Sequence, residues 1–209
     1  MRTPGGPAEL PRCDAGQHDG PVRWWPAVDA TPAERAELRS GDDIVARPDV
    51  VMDRAFTVPG MPADVWPWVV QLGKQRAGWY LPRRVERIIP RRRRAIRRLD
   101  PRWAALTMGQ VVPDYGGRHE TFTVAGIVPP HHLIYRSRRG SATVSWAIEL
   151  RPDDVGGVAR TRVLLRLRIA PVRRIWLART AGGLVDALTI AGMAAGLRER
   201  LLHPINGDI

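Results

Sequence analysis

The sequence predicts an α+β domain in which a curved antiparallel β-sheet wraps around one long C-terminal α-helix. Between residues 110 and 170, apolar and polar residues alternate with period two, and turn-like Gly, Pro and Asp clusters separate the segments. After Pro171 the apolar spacing becomes helical and continues to about residue 202. Short connections favour antiparallel pairing of successive strands, and a helix packed on such a sheet completes a two-layer domain.

Size and composition restrict the class of protein. The 209 residues, 44% of them apolar, suffice for one domain with a packed core. We expect no transmembrane segment, because no stretch of about 18 uncharged apolar residues occurs. The N-terminus lacks the apolar run of a secretory signal, and a single cysteine, Cys13, excludes an internal disulfide and a cysteine-based zinc site. We therefore predict a cytoplasmic location.

Residues 1–40 are predicted to form a flexible leader that contains one short helix. The first part is rich in Gly and Pro and shows no periodicity. Thr31 is suited to the N-cap of a helix, with Glu34 at the third helical position. Trp24 and Trp25 interrupt the leader, and adjacent tryptophans are costly to expose. Whether this pair plugs a pocket of the domain stays open.

The spacing of apolar residues defines the remaining elements. A helix is predicted at residues 63–72, because Val65, Trp68, Val69 and Leu72 share one face. Strands are predicted at residues 49–58, 110–113, 120–128, 133–137, 143–150 and 160–169. In the last strand, arginines alternate with aliphatic residues, which predicts one face against a core and the other in water.

Residues 83–102 are the most basic part of the chain. They contain ten arginines and two acidic residues, a net charge of +8 out of the +12 of the whole protein. We expect two short helices here, separated at Pro90. The charges fit either a solvated face or a surface that contacts anionic partners such as lipid or nucleic-acid phosphates. The candidates for such a surface are Arg91, Arg92, Arg93 and Arg94, within the range Arg83 to Arg102.

Several short motifs, taken with this order of elements, carry a family resemblance. They are Gly41-Asp42-Asp43, Val65-Trp66-Pro67-Trp68-Val69-Val70-Gln71-Leu72-Gly73, Arg76-Ala77-Gly78-Trp79-Tyr80, Met108-Gly109-Gln110, Val128-Pro129-Pro130 and Ser145-Trp146-Ala147-Ile148-Glu149-Leu150. The chain resembles the helix-grip superfamily (SRPBCC), which includes START lipid-binding domains and polyketide cyclases. The tryptophan-rich helix followed by Gly-Trp-Tyr is typical of an actinobacterial subgroup. The resemblance implies a helix-grip domain at residues 41–203, followed by a tail at 204–209.

The same resemblance implies a cavity between sheet and C-terminal helix that binds a small hydrophobic molecule, either a lipid or a polyketide-like compound. Large aromatic side chains with a few polar tips are typical of such pockets. The predicted ligand-binding residues are Trp79, Tyr80, Phe122, Tyr135, Trp146, Ile148 and Met193. We place Trp79 and Tyr80 near the opening. The alternative is a solid core filled by the same side chains.

Catalysis is a separate question, because members of the superfamily range from passive carriers to cyclases. A polyketide cyclase or aromatase needs a side chain that moves protons at a carbonyl group. The candidates are His119, Tyr135 and Asp186. A solvated turn is the commoner setting for a histidine such as His119, and a salt bridge with an arginine is the alternative explanation of Asp186. No metal-ligand or phosphate-loop motif occurs, so we expect neither metal nor cofactor.

Overall fold

A computed structural model describes residues 27–154, 156–173 and 175–203. Trp24, Trp25 and the tail at 204–209 lie outside the described residues. The elements are α1 Pro32–Ala36, β1 Val50–Pro59, α2 Pro62–Gln71, α3 Arg83–Glu86, β2 Val111–Pro113, β3 Thr121–Val128, β4 His132–Arg139, β5 Ala142–Pro152, β6 Arg160–Ala170, α4 Ile175–Leu177 and α5 Gly183–Leu202. Short 3₁₀ turns lie at Asp42–Val45, Arg91–Arg93 and Pro101–Trp103, and the π-helical turn Ala178–Gly182 joins α4 to α5.

The six strands form one antiparallel sheet in the order β1-β6-β5-β4-β3-β2. Strands β2 to β6 follow one another as a meander, and β1 joins at the edge beside β6. The long helix α5 packs against the curved sheet, chiefly on β1. The predicted α+β architecture is therefore confirmed. The strand bounds differ from the predicted ones by one or two residues.

The core lies between the sheet and the two main helices. In α2 the predicted apolar face is buried, with Val65, Trp68 and Val69 pointing into the core. From α5, Met193 and Leu197 join the same cluster. Hydrophobic burial of these side chains supplies the main driving force for docking both helices.

Gly196 allows the segment that follows Tyr80 to pass close to the backbone of α5. A Cβ atom on Gly196 would lie only 2.5 Å from the backbone nitrogen of Leu81. The segment that follows Tyr80 therefore rests directly on the helix backbone. This contact explains the glycine at position 196, although glycine weakens an isolated helix by about 1 kcal/mol relative to alanine.

The first half of the C-terminal helix leaves apolar side chains in solvent. Trp176 is 70% exposed, and Leu184, Val185 and Leu188 are more than half exposed. The second half, from Ile190 onward, is largely buried. By length and composition, the stretch 180–202 would suffice to cross a membrane. The absence of a membrane-spanning segment therefore stays a prediction.

The outer face of β6 differs from the prediction. We expected its arginines to meet water, but the side chain of Arg166 is only 4% exposed. Its guanidinium binds Asp53 at 2.7 Å and Asp42 at 2.9 Å, and it also donates to the backbone carbonyl oxygen of Glu37 at 2.8 Å. The physical reason is a covering layer formed by α1 and the Asp42–Val45 turn, which the alternation within β6 does not reveal.

The short helix α1 belongs to this covering layer. The predicted cap is confirmed, because the backbone N–H of Thr31 donates to the Glu34 carboxylate at 2.7 Å, and that of Glu34 donates to Thr31 Oγ1 at 3.1 Å. Arg162 of β6 donates to the same carboxylate at 2.8 Å. This hydrogen bond is the main reason that the pKa of Glu34 is lowered to about 2. Helix α1, which belongs to the segment that we predicted to be a flexible leader, is thus bound to the sheet.

The substitution Glu34→Gln is expected to lower the free energy of unfolding by about 2 kcal/mol at pH 7, since a hydrogen bond to a charged group is lost. The ordinary pKa is 4.5 and the folded-state value is about 2. The stabilisation by the ionised carboxylate is therefore present above pH 4.5 and declines as the pH falls towards 2. Urea unfolding of both proteins between pH 7 and pH 3.5 measures the difference. A difference that stays constant over this range would contradict the role of the ion pair.

Glu120→Gln is the matched control for this experiment. Among the described residues, the Glu120 carboxylate makes no ion pair. We expect this variant to unfold like the parent protein at every pH in the series.

The basic segment forms shorter helical pieces than the two helices we predicted. Its buried centre is Glu86, which binds Arg200 at 2.7 Å through one carboxylate oxygen and Arg97 at 2.8 Å through the other. Arg97 also binds Glu199 at 3.0 Å. The Arg200 side chain is fully buried and donates to the carbonyl oxygens of Gly196 and other residues. This network ties the end of α5 to the segment after α3.

Candidate ligand cleft

A cleft of about 560 Å³ lies between the sheet and the first half of α5. Strand residues form its floor, the β2–β3 turn forms one rim, and α5 forms the other. The lining residues are Met52, Trp79, Asp114, Tyr115, Gly116, Phe122, Arg139, Trp146, Leu167, Gly182, Val185, Asp186, Thr189 and Ile190. Its volume is within the range of small-molecule sites, which is about 300–1,000 Å³.

Stacked aromatic rings form one wall of the cleft. The rings of Trp79 and Trp146 stack with centroids 6.2 Å apart and an interplanar angle of 26°. Trp146 stacks in turn on Tyr135 at 5.8 Å, and Phe122 packs beside both at 5.9 and 5.5 Å. The rings thus present flat apolar surface to the cleft.

The indole nitrogen of Trp79 in this wall is hydrogen-bonded within the protein. The indole N–H of Trp79 donates to the backbone carbonyl oxygen of Thr189 on α5, at 3.2 Å. Tyr115, which is about half exposed, packs edge-on against Trp79 with centroids 6.0 Å apart. This hydrogen bond fixes the orientation of Trp79 relative to α5. Because Trp79 and α5 both line the cleft, the position of this helix affects the width of the cleft.

A first ion pair lies at the β2–β3 rim. Arg139 at the end of β4 binds the carboxylate of Asp114, and its guanidinium lies over the Phe122 ring at 5.4 Å from the centroid. Lys74 donates to the backbone carbonyl oxygens of Asp114 and Gly117, at 2.9 and 2.8 Å. These contacts hold the rim turn against the sheet.

A second ion pair lies at the α5 rim. Arg54 of β1 approaches Asp186 at 2.8 Å and donates to the backbone carbonyl oxygen of Gly183 at 2.7 Å. Burial raises the pKa of Asp186, and the nearby Arg54 charge opposes this effect. The pair connects the edge strand to the start of α5, where the π-helical turn ends.

The structure divides the predicted ligand-binding residues into two groups. Trp79, Phe122 and Trp146 line the cleft, and Tyr135 supports the ring stack from the buried side. The remaining predicted residues surround a void in the core of about 10 Å³, and this void is too small for any ligand. This second group is Tyr80, Ile148 and Met193.

Tyr80 is the clearest difference from the expected arrangement. We placed it near the opening beside Trp79, but it is 1% exposed and its hydroxyl donates to the backbone carbonyl oxygen of Trp68 at 2.8 Å. Burial raises its pKa well above the ordinary range. Consecutive residues of an extended segment point to opposite sides, so only one of the two rings can face the cleft.

The three acid–base candidates also separate. His119 is exposed in the β2–β3 turn and does not line the cleft. Tyr135 is buried, which raises its pKa. Asp186 alone of the three lines the cleft, and it is paired with a strand arginine. Within the described ranges, no group of three His, Cys, Asp or Glu side chains is placed to hold a metal ion.

Sequence reasoning did not identify Tyr115, Asp114 or Arg139 as cleft residues. The sequence pattern indicates only turns at these positions, with Asp114 and Tyr115 in one turn and Arg139 in the turn at residues 138–140. The available signal was an aromatic residue inside a Gly-rich turn between two strands. Such a turn lies at one end of the sheet, where loops gather around a site.

The sequence matches no protein-family model and no curated protein. Among solved structures, it is similar to the protein MLL2253 from Mesorhizobium loti, with 12% identity, a TM-score of 0.45, and coverage of 77% of this chain and 100% of that one. CalU16 from Micromonospora echinospora has 15% identity and a TM-score of 0.40, with 73% and 83% covered. DynU16, a protein of the dynemicin biosynthetic locus, has 18% identity and a TM-score of 0.41, with 74% and 48% covered.

Proposed function

We propose that the protein binds a small, flat, hydrophobic molecule in the cleft between sheet and C-terminal helix. The observation that carries this proposal is the stacked wall of Trp79, Trp146 and Phe122 along an open cleft of about 560 Å³. Aromatic faces favour offset stacking with planar ligands, and their burial contributes the largest part of the binding free energy.

The charges of the cleft favour a neutral ligand. Arg139 is neutralised by Asp114, and Arg54 by Asp186, so neither guanidinium is available without breaking an ion pair. A carboxylate or phosphate on the ligand would compete with these internal partners and lose its hydration. Neutral hydroxyl or carbonyl groups can instead hydrogen-bond at the rims. A polyketide-like compound or a neutral lipid fits this description.

The geometry supports binding more directly than catalysis. A cyclase-type reaction needs a proton-transfer group beside the bound carbonyl. Asp186 is the predicted candidate that reaches the cleft, and its ion pair with Arg54 has a structural role at the start of α5. Turnover by the protein therefore stays the alternative, and binding is the function we propose.

The substitution Trp146→Ala is expected to weaken binding of the neutral probe N-phenyl-naphthylamine at least tenfold, because buried tryptophans at binding sites commonly contribute more than 2 kcal/mol. Val185→Arg should have a similar effect, since it adds a charge to the rim at a position that is mostly exposed and unimportant for the core. Probe fluorescence gives the affinities, and native mass spectrometry of the purified protein shows any molecule that it carries.

Trp103→Ala is the matched control for this test. Trp103 lies outside the cleft, under the guanidinium of Arg76 at 4.8 Å from its ring centroid. This variant should bind the probe like the parent protein. Equal affinity in the parent protein, Trp146→Ala and Val185→Arg would exclude the cleft as the binding site. Thermal unfolding of each variant separates loss of binding from loss of fold.

A further inference from the structure

The acidic residues near the basic segment are already used inside the protein. Glu86 holds Arg97 and Arg200. Glu199 binds Arg97 and accepts the backbone N–H of Arg83 at 2.9 Å. Since these carboxylates are neutralised by internal partners, they do not offset the charge of the neighbouring exposed arginines.

Five exposed arginine side chains in the first part of this segment, between residues 83 and 93, form what we call the basic surface. Within the described part of the chain, none of the five makes a side-chain hydrogen bond or ion pair. They are Arg83, Arg87, Arg91, Arg92 and Arg93. Guanidinium groups without internal partners are available for bidentate contacts with phosphate.

The backbone that carries the basic surface is fixed. Arg94 donates to the backbone carbonyl oxygens of Ile89 at 2.8 Å and Arg87 at 3.0 Å. Its guanidinium therefore stabilises the turn after α3 and is not part of the basic surface. Ile96 donates its backbone N–H to Ala77 at 2.8 Å. From the sequence, Arg94 was a candidate for the anionic-partner surface together with Arg91, Arg92 and Arg93. In the structure it has this stabilising role instead. Because the backbone of this segment is already fixed, binding through its arginines carries a smaller ordering cost.

An exposed apolar side chain lies between Arg87 and Arg91 in the chain. Ile88 is 85% exposed in the turn between α3 and the Arg91–Arg93 turn. We propose that the basic surface docks on an anionic phospholipid bilayer, with the arginines on headgroup phosphates and Ile88 inserted at the interface. Electrostatic attraction between the five guanidinium groups and the headgroup phosphates, together with burial of one aliphatic side chain, supports reversible docking.

A bilayer fits these residues better than a nucleic acid. Proteins that bind single strands stack bases on aromatic rings, and residues 83–102 contain no aromatic residue. An exposed isoleucine offers no hydrogen bond to a base edge. In a bilayer, the same side chain gains free energy by leaving water.

The test uses co-sedimentation with vesicles of phosphatidylglycerol and phosphatidylcholine. The triple variant Arg91→Gln, Arg92→Gln, Arg93→Gln is expected to lower the partition coefficient roughly a hundredfold, and Ile88→Ser several-fold. Binding of the parent protein should weaken steeply with added salt and be absent on pure phosphatidylcholine. Binding of N-phenyl-naphthylamine in the cleft should be unchanged in these variants, so failure of this proposal is distinguishable from failure of the cleft.

The control removes the same charge elsewhere on the surface. Arg118, Arg136 and Arg138 are exposed, and replacing all three by Gln should leave partitioning within about threefold of the parent. Equal losses in both triple variants would overturn the proposal, because net charge alone would then explain binding. Duplex DNA that displaces the vesicles, with no effect of Ile88→Ser on either ligand, would overturn it in favour of a nucleic-acid surface.

Discussion

Replacing Arg200 by methionine should lower the free energy of unfolding by about 3–5 kcal/mol, a large part of the stability of a typical domain. The guanidinium is fully buried, and its removal leaves the Glu86 carboxylate in the core with only Arg97 as a charged partner. It also removes a side-chain donor from several backbone carbonyl oxygens, among them those of Ile96 and Leu81. Urea denaturation followed by tryptophan fluorescence gives the loss directly.

Two further variants separate the buried charge from simple packing. Arg97→Met removes the more exposed partner of Glu86, and we expect a smaller loss of about 1–2 kcal/mol. The double variant Arg200→Met, Glu86→Leu removes both buried charges and should recover part of the stability lost in Arg200→Met, since an apolar pair can replace a buried ion pair. A double variant no more stable than Arg200→Met would contradict this explanation.

The second large effect is expected at Arg166, on the opposite side of the sheet. Arg166→Met should destabilise the protein by about 3–5 kcal/mol at neutral pH, because Asp53 and Asp42 lose a buried partner at 2.7 and 2.9 Å. The carbonyl oxygens of Glu37 and Arg35 lose a donor as well. The covering layer formed by α1 and the Asp42–Val45 turn should detach first. Hydrogen exchange would show this as early loss of protection in residues 28–46.

Arg151→Met is the control for Arg166. Arg151 binds Glu37 and Glu149 at 2.7 and 2.8 Å, but its side chain is 37% exposed. Ion pairs exposed to this degree usually contribute less than 1 kcal/mol. We expect this variant to be nearly as stable as the parent. A similar loss in both variants would show that burial is not the reason for the effect at Arg166.

The strands and helices follow from local patterns in the sequence, and the tertiary contacts do not. Alternation in residues 160–169 specifies which side chains share a face, and β6 has this arrangement. The same alternation cannot show that a segment more than 100 residues earlier in the chain covers the arginine face. For this reason, Arg166 was predicted to be solvated.

The candidate site could likewise be predicted only in part from the sequence. Aromatic residues at Trp79, Phe122 and Trp146 were predicted to line a cavity, and the structure places all three along one cleft. Tyr80 has the same chemical character but turns into the core, since the neighbouring backbone fixes its direction. The structure shows the salt bridge that was the alternative explanation of Asp186, and its partner is the strand residue Arg54. The Arg139–Asp114 pair was not predicted, because local patterns do not show which distant residues meet.

The ring stack also gives the protein a built-in optical signal. The indoles of Trp79 and Trp146 lie 6.2 Å apart with their planes twisted by 26°, so their electronic transitions couple in a chiral arrangement and give circular dichroism. A molecule that enters the cleft must lie against these rings and change that coupling. Near-ultraviolet circular dichroism can therefore report occupancy of the cleft in the unlabelled protein, and substitution of either tryptophan should remove the signal.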